Sequence, residues 1–437
     1  MTKIHPLFKG DAAGRVFLLL QGPHGPFFDR LAGHLRSAGA RVWRVGFNAG
    51  DRFFWSDSAS FIAHDGPPQD WPTHLDRLIR DKGVTDIALY GDTRAHHQAA
   101  RAAARRHGLV LHVFEEGYLR PFWISYERDG ANGHSALMQI GLDRMCRDLR
   151  HARVDLPRPP SHWGDMRQHR FYGALYHFVL MAGRRDFPHF RSHRNIGVMQ
   201  EFRLNLRRLL VGPLLSLHSR AEGARIRRRG WPFVLVLMQL DHDSSLRSHS
   251  DYTSQRGFIR DCLTAFASHA PRHHHIVFKA HPLEDGRAGD ARSIARIAAE
   301  LGVSGRVHYL HAGKLARVLS LARSVVTVNS TAAQQALWRG LPVKALGRAV
   351  YDKPELVSDQ GLADFMRNPR RPDPEAYRIY RDYLLETSQI PGGFYAARAR
   401  AHALRLVVDM MLAPEGPYAA LSCGQAHYRP QITHRDD

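Results

Sequence analysis

The sequence predicts an α/β protein with two Rossmann-like domains that face a cleft, a basic helical insertion between them and helices near the C-terminal end. Three observations lead to this fold class. Short apolar runs alternate with amphipathic stretches, as in parallel sheets that carry helices on both faces. The alternation stops near residue 140 and resumes near residue 231. The length of 437 residues also exceeds that of one small domain.

The first stretch of alternation predicts an N-terminal domain over residues 1–140. Strands are expected at 16–20, 41–45, 86–90 and 110–114, and helices at 27–37, 73–81 and 93–107. Gly39 follows the first of these helices, where a glycine commonly ends a helix. Residues 46–55 are rich in Gly, Asp and aromatic side chains, so we expect a loop there.

The next stretch, residues 141–230, is expected to be helical and carries most of the positive charge. The chain has 62 Lys and Arg against 41 Asp and Glu, a net charge of +21. Residues 144–230 contain 19 Arg, no Lys and six carboxylates, which leaves +13 in this stretch. Arg residues interspersed with bulky apolar groups suit helices that lie on an anionic bilayer surface. From the charge alone, a nucleic-acid contact or a solvated insertion with ordinary helix cores also stays open.

The alternation then resumes and predicts a second Rossmann-like domain over residues 231–370. Strands are expected at 233–238, 275–278, 306–309, 325–328 and 342–345, and helices at 254–267, 291–301, 314–321 and 331–339. Two further helices, 374–386 and 393–412, make a terminal segment at 371–413, and residues 414–437 are expected to be a flexible tail.

Cysteine usage and hydropathy exclude several classes of protein. The three cysteines are Cys146, Cys262 and Cys423, far apart and without a C-x-x-C pair, so a disulfide scaffold or a cysteine zinc site is not expected. A reducing compartment fits this usage. No signal peptide is apparent, and the longest apolar stretches reach about half of the ~20 residues that span a bilayer. We therefore expect a soluble or peripheral protein.

Two segments of the first domain carry groups suited to chemistry. Gly22 and Gly25 lie in a turn after the first strand, where glycines let a ligand approach the backbone. A contact with the acceptor or the sugar is one interpretation, and a plain strand-to-helix turn explains the glycines equally well. Glu115 and Glu116 end the strand at 110–114, and Arg120 follows. Adjacent strand residues point to opposite faces, so one carboxylate is expected to face the cleft as a general acid or base. The alternative is a solvated capping carboxylate.

The first strand of the second domain is followed by Gln239, Asp241 and Asp243. An Asp-x-Asp pair can bind a hard cation, a carboxylate can attack a sugar centre, and Asp243 before two serines can cap a helix. Spacing alone does not separate these three roles.

Two more strand ends point to a phosphate. Lys279 and His281 share one side of an extended segment before Pro282, a pairing that suits a phosphoester. The second of these two strand ends is followed by small polar residues, Asn329, Ser330 and Thr331. Hydroxyls and backbone N–H groups at a helix start favour an anion, whereas helix capping alone also accounts for Ser330.

Five segments together resemble the capsule polysaccharide biosynthesis family, and within it the KpsS (LipB) type. They are the GP-x-GPFF turn, the EEGYLRP segment with Ile124 and Asn132-Gly133 after it, the Q-x-D-x-DSS segment, the KAHP segment and the run VNSTAAQQALWRGLPVKALG. The resemblance covers about residues 15–360. It implies a GT-B-like fold, with the acceptor on the N-terminal domain and a CMP-sugar on the C-terminal one.

The resemblance also implies an activity, transfer of β-Kdo from CMP-β-Kdo to lysophosphatidylglycerol, which starts the poly-Kdo linker of a capsular glycolipid. Implied partners are the inner face of the cytoplasmic membrane and, in addition, a KpsC-type transferase with the capsule export complex. No nucleic acid, metal or other cofactor is expected. Alternatives are a transferase for another CMP-activated ulosonic acid and a non-catalytic component of the assembly complex.

Site roles follow from the same resemblance. Asp243 matches the family's nucleophile, with Asp241 as the alternative, and Glu115 matches the acid/base position, with Glu116 as the alternative. His281 and Pro282 match a CMP-binding motif, and Ser330 and Thr331 match hydroxyls on the phosphate side. Gln239, Lys279 and Asn329 flank these motifs, and Arg120 or Arg247 is expected to meet the Kdo carboxylate.

Overall fold

The contacts of the chain group it into two units. Unit 1 comprises Met1–His193 and Arg381–Asp437, and unit 2 comprises Arg194–Tyr380. The structure is a computed structural model, and it describes residues 12–152, 166–190, 198–240, 246, 249–282, 284 and 289–424. The boundaries expected at residues 140, 230 and 370 stay predictions. In the contact grouping, the C-terminal segment belongs with the N-terminal sheet.

Unit 1 is built on a seven-stranded sheet. Its strands are β1 (Val16–Leu19), β2 (Arg41–Gly46), β3 (Phe61–Ala63), β4 (Asp86–Tyr90), β5 (Val110–Glu116), β6 (Trp123–Arg128) and β12 (Gln389–Pro391), in the order β12-β6-β5-β4-β1-β2-β3. Strands β1 to β5 pair in parallel, whereas β6 is antiparallel to β5 and to β12. The strand order reverses between β1 and β4, which is where open α/β sheets bind ligands.

Helices cover both faces of this sheet. They are α1 (Phe27–Ser37), α2 (Ala49–Phe53), α3 (Trp71–Lys82), α4 (Ala95–His107), α5 (Leu142–Asp148), α6 (Met166–Ala182), α14 (Ala397–Leu412) and α15 (Pro417–Ser422). Side chains of α1 and α14 share one buried core with Phe17 and Phe114, and side chains of α3 and α4 share the other with Leu18 and Val113. Alternate residues of each strand enter opposite cores because successive side chains point to opposite faces.

Unit 2 contains a five-stranded parallel sheet. Its strands are β7 (Phe233–Leu237), β8 (His275–Lys279), β9 (Val307–Leu310), β10 (Ser324–Thr327) and β11 (Val343–Ala345), in the order β11-β10-β7-β8-β9. Its helices are α7 (Val198–Arg229), α8 (Gln255–His269), α9 (Asp290–Glu300), α10 (Leu315–Leu319), α11 (Gln334–Leu337), α12 (Leu362–Arg367) and the first part of α13 (Pro374–Glu386). The last six residues of α13 are grouped with unit 1. Numbered within the unit, the strand order is that of the Rossmann fold, with its reversal between β7 and β10. The predicted α/β class with two Rossmann-like units is therefore confirmed.

Several sequence-based expectations of secondary structure are wrong. The loop expected at 46–55 contains α2, which begins after Asn48, whose side chain accepts a hydrogen bond from the N–H of Asp51. The helix expected at 331–339 is a 3₁₀ turn at Thr331–Ala333 followed by the four-residue α11. The tail expected after residue 413 begins with α15, in which Tyr418 is buried.

None of the helices in the described part of the chain is both long and apolar enough to cross a bilayer.

Candidate functional site

In unit 2, the strand-order reversal is bridged by two amides. Nε2 of Gln239, just after β7, donates to Oδ1 of Asn329, just after β10, at 2.8 Å, and the N–H of Asn329 donates to Oε1 of Gln239 at 3.2 Å. Both side chains are buried. This reciprocal pair holds the ends of β7 and β10 together at the edge where a Rossmann sheet binds its ligand.

The buried amides are anchored to the first residue of α8 and to the segment before that helix. The Gln255 amide donates to the backbone carbonyl of Gln239, and Nδ2 of Asn329 donates to the carbonyl of His249 at 3.3 Å. These bonds satisfy buried polar groups that would otherwise destabilise the fold. Gln239 and Asn329 thus have a structural role at the strand ends, in addition to any contact with a ligand.

Lys279 ends β8, the neighbour of β7. Its side chain is buried, and Nζ donates to the carbonyl of Ala280 at 2.8 Å. Burial lowers the pKa of Lys279 to about 8 because the charged form loses hydration. His281 is half-buried and Pro282 exposed, so the strand delivers these two residues to the same sheet edge.

Ser330 and Thr331 follow β10 and are half-buried. The Ser330 hydroxyl accepts from the N–H of Ala332 at 3.3 Å, and the Ser330 carbonyl accepts from the Tyr351 hydroxyl at 2.8 Å. The structure weakens the prediction of an anion site at a helix start. A 3₁₀ turn followed by a four-residue helix aligns few peptide dipoles, so the local hydroxyl and N–H groups carry that prediction.

The predicted nucleophile is not placed by this structure. Asp241 and Asp243, and also Arg247, lie outside the described residues. Because β7 ends at Leu237 and Gln239 is bonded to Asn329, the chain enters this segment directly from the strand-order reversal. Their roles stay predictions.

In unit 1, Glu115 and Glu116 are the last two residues of β5, and both are half-buried. They follow the alternation of the strand. Glu115 lies on the side of Val113, and Glu116 on the side of Phe114, where Tyr90 also packs. The two carboxylates therefore lie on opposite faces of the sheet, as the sequence predicts.

The Glu115 carboxylate has few donors and an acidic neighbour. Oε1 accepts from the N–H of Glu116 at 3.0 Å, and Oε2 accepts from Nδ2 of Asn132 at 3.4 Å. Burial raises the pKa of Glu115 to about 7, and the charges of Glu116 and Asp92 add to the rise, against Arg120 and the N–H of Glu116. A carboxyl group that titrates near neutrality suits general acid–base catalysis.

Glu116 faces two tyrosines that sequence reasoning missed. The Tyr90 hydroxyl donates to Oε1 of Glu116 at 3.2 Å. Burial, followed by the Glu116 charge, raises the pKa of both Tyr90 and Tyr395 well above the usual tyrosine value. Both hydroxyls therefore stay protonated. Tyr395 lies about 280 residues from Glu116 in sequence, so no local pattern could have found it.

A buried polar network crosses the strand-order reversal of unit 1. Nη1 of Arg94 donates to Oε1 of Gln21 at 2.6 Å, and Nε2 of Gln21 donates to the Tyr176 hydroxyl at 2.9 Å. The Tyr176 hydroxyl in turn reaches Oδ1 of Asn48 at 3.0 Å. Arg94 also lies over the ring of Tyr90. The network joins the ends of β1 and β4 to helix α6. The sequence shows that these residues are polar, but it does not show that they lie together.

The predicted acceptor turn is closely packed. A Cβ at Gly22 would lie 2.8 Å from the Phe28 ring, and one at Gly25, whose φ is +100°, would lie 3.1 Å from the Tyr172 ring. Packing and backbone conformation thus require both glycines, whether or not a ligand binds. Arg120 is exposed, and its Nε donates to the carbonyl of Gly117 at 3.0 Å.

The described residues contain no group of three or more His, Cys, Asp or Glu side chains that could hold a metal ion.

The chain was compared with known proteins. A family model described as capsule polysaccharide biosynthesis protein matches residues 85–395. The chain belongs to this family. The matched region includes both glutamates and every predicted site residue of unit 2, whereas the Gly22–Gly25 turn precedes it.

Curated relatives agree with the family. The chain is 31% identical over 386 residues to the capsule polysaccharide export protein KpsS of Escherichia coli, an alignment that covers 88% of this chain and 97% of that protein. It is 33% identical to the capsule polysaccharide modification protein LipB of Neisseria meningitidis serogroup B, over 87% of this chain and 91% of LipB. The resemblance to the KpsS (LipB) type is thus confirmed.

A solved structure with a similar arrangement of elements is Thermosulfurimonas dismutans KpsC, a beta Kdo 2,7 transferase. It matches with a TM-score of 0.42 and 13% identity, over 90% of this chain and all of that one. A likeness this distant does not assign an activity.

Proposed function

We propose that this protein is a retaining glycosyltransferase of capsule synthesis that moves β-Kdo from CMP-β-Kdo to a lysophosphatidylglycerol acceptor. The product is the first unit of the poly-Kdo linker of a capsular glycolipid. The observation that carries the proposal is the Glu115 carboxyl group. It ends a parallel strand within the region that the capsule family model matches, and its pKa lies at about 7.

Two displacements at the anomeric carbon give retention. The Asp243 carboxylate attacks that carbon, the bond to the phosphate oxygen breaks, and CMP leaves with the electron pair. The acceptor hydroxyl then attacks the same carbon, its proton passes to Glu115, and the Asp243 carboxylate departs. Asp241 and Glu116 are the alternatives for the two roles.

The proposed donor side depends on anion binding. CMP is a good leaving group, so the developing phosphate charge needs stabilisation more than protonation. Lys279, charged below pH 8, supplies a buried cation at the sheet edge, and His281 and Ser330 lie at strand ends of the same sheet. The scheme uses no metal or other cofactor.

Further parts of the proposal concern the setting of the reaction. The acceptor is an anionic lysophospholipid, which places the enzyme at the inner face of the cytoplasmic membrane as a peripheral protein. A KpsC-type transferase and the capsule export complex are the proposed protein partners.

Incubation of the purified protein with CMP-Kdo, generated in situ, and fluorescent lysophosphatidylglycerol tests the reaction. We expect a product whose mass exceeds that of the acceptor by one Kdo residue. Asp243→Ala should abolish transfer while CMP binding persists. Absence of product from a protein that is folded and binds CMP would falsify the activity and favour a non-catalytic role. Product only with a CMP-sialic acid would change the donor.

A further inference from the structure

Helix α6 exposes an apolar stripe. Phe171 is 62% exposed, Phe178 is 63% exposed and Met181 is 43% exposed. Together with the exposed Ala174, they recur at intervals of three and four residues, so they share one face of the helix over about 15 Å. Large apolar side chains this exposed are unusual when they are contiguous, and such patches mark interaction surfaces.

The opposite face of α6 is already occupied. Tyr176 is buried and packs against His24 with ring centroids 4.5 Å apart and the rings tilted by 45°. The ring of Tyr172 packs on Gly25, and the centroid of the His169 ring lies 4.4 Å from that of Tyr395. The helix therefore covers the turn after β1 with one face and presents its apolar stripe with the other. Core packing does not account for Phe171 and Phe178.

Charge indicates what would cover the stripe. The sequence of α6 contains no Asp or Glu, and its Arg167 and Arg170 are exposed beside the start of the stripe. Arg185, just beyond the end of the helix, is exposed as well. Aromatic side chains flanked by arginines suit the boundary between headgroups and acyl chains of an anionic bilayer.

We infer that helix α6 is the membrane-docking element of this protein, with Phe171, Phe178 and Met181 inserted into an anionic bilayer and Arg167 and Arg170 at the headgroups. This inference rests on the proposed function for its biological setting, because a lipid acceptor resides in that bilayer. It adds a defined surface. The helix that docks is the one whose inner face packs on the turn at Gly25.

Flotation with lipid vesicles tests the inference. Full-length protein is mixed with vesicles of phosphatidylcholine, with or without phosphatidylglycerol. We expect binding to the anionic vesicles that weakens as salt is added. Phe171→Gln with Phe178→Gln should lower the partition coefficient about tenfold or more, since two aromatic side chains no longer leave water. Arg167→Gln with Arg170→Gln should weaken binding to anionic vesicles only.

A matched control comes from unit 2. Trp338 is 64% exposed and Leu321 is 43% exposed, close to the values for Phe178 and Met181. Trp338→Gln with Leu321→Gln should leave vesicle binding unchanged. Unaltered flotation of the Phe171 and Phe178 variant, or equal loss in the control, would overturn the inference. So would a parent protein that is dimeric by light scattering and a Phe171 and Phe178 variant that is monomeric but still binds vesicles, because the stripe would then contact a second copy.

Failure of the docking inference can be told apart from failure of the proposed function. Transfer to an acceptor dispersed in detergent micelles requires no bilayer, so the Phe171 and Phe178 variant should retain it while losing activity on acceptor embedded in vesicles. Loss of both activities in a folded variant would instead assign the stripe to the catalytic site.

Discussion

Glu115 lies in an environment that differs from that of an ordinary carboxylate, because burial and neighbouring acidic groups favour its protonated form. With a pKa at about 7, it gains its proton-accepting form as pH rises through neutrality. If Glu115 is the base, kcat/KM should rise with pH up to about 7 and then level off. Glu115→Gln should lower kcat by about 10²- to 10⁴-fold and remove this rise. A full pH–rate profile measures both. The same profile of Glu116→Gln tests the alternative, since loss of the rise in that variant alone would assign the role to Glu116.

The raised pKa of Glu115 also predicts how the stability of the fold depends on pH. A folded-state pKa above the unfolded value means that the folded state binds the proton more tightly, so stability falls as pH rises from about 4.5 toward 7. Glu115→Gln removes this penalty. We expect its Tm to exceed that of the parent protein at pH 8 and the difference to shrink at pH 5. Calorimetry at the two pH values checks this, and a difference that grows at pH 5 would contradict it.

Lys279 provides a second titration at the residue scale. Its pKa of about 8 makes the side chain a cation at neutral pH that becomes neutral under mildly alkaline conditions. CMP affinity should therefore decline as pH rises through 8, since phosphate loses its partner charge. Lys279→Met should bind CMP weakly and without this pH dependence. Isothermal titration at several pH values measures both. An unchanged affinity in the variant would remove Lys279 from the donor site.

At the scale of elements, a buried ion pair connects β2 and α2. Nη2 of Arg44 lies 3.3 Å from Oδ1 of Asp51, and the two side chains are 6% and 3% exposed. Oδ2 of Asp51 also accepts from the N–H of Phe47. Asp51→Ala leaves a buried guanidinium without its carboxylate. We expect a loss of about 3–5 kcal/mol in the free energy of unfolding, measured by denaturation with urea.

The control for that change is a more exposed pair in the same unit. Nη2 of Arg106 lies 2.9 Å from Oδ1 of Asp76, and the two side chains are 52% and 27% exposed. Oδ1 of Asp76 also lies 2.9 Å from Nε2 of His107. Asp76→Ala should cost about 1 kcal/mol or less, because solvent screens the charges. Equal losses for Asp51→Ala and Asp76→Ala would show that burial does not decide the strength of these pairs.

At the scale of the whole molecule, unit 1 is completed by residues distant in sequence. Strand β12 pairs with β6, and Ile390, Phe394 and Met411 enter the core shared by α1 and α14. A chain that ends at residue 380 lacks these side chains and exposes the core they cover. We expect it to aggregate or to lose the unfolding transition of unit 1, as followed by calorimetry. A soluble, cooperatively unfolding truncated chain would contradict this.

Local sequence patterns predicted the bounds of a helix or strand correctly where the residues that define it are close to it in sequence. The helix at Phe27–Ser37 and the strand at Asp86–Tyr90 were predicted to the residue, because apolar periodicity and flanking glycines define both. Helix α2 was missed since five residues are too few to show a period. Strands β6 and β12 were missed because their pairing joins residues about 265 positions apart.

The sequence alone determined the α/β alternation, the ends of the strands where polar residues gather, and the membership in a capsule family. These are encoded by short-range patterns of apolar, polar and small side chains. Tertiary structure decided which strand lies beside which, and hence the burial that raises the pKa of Glu115 and lowers that of Lys279. It also decided which face of α6 is covered and which stays exposed. Burial is a property of the neighbours that folding assembles, so no window of the sequence contains it.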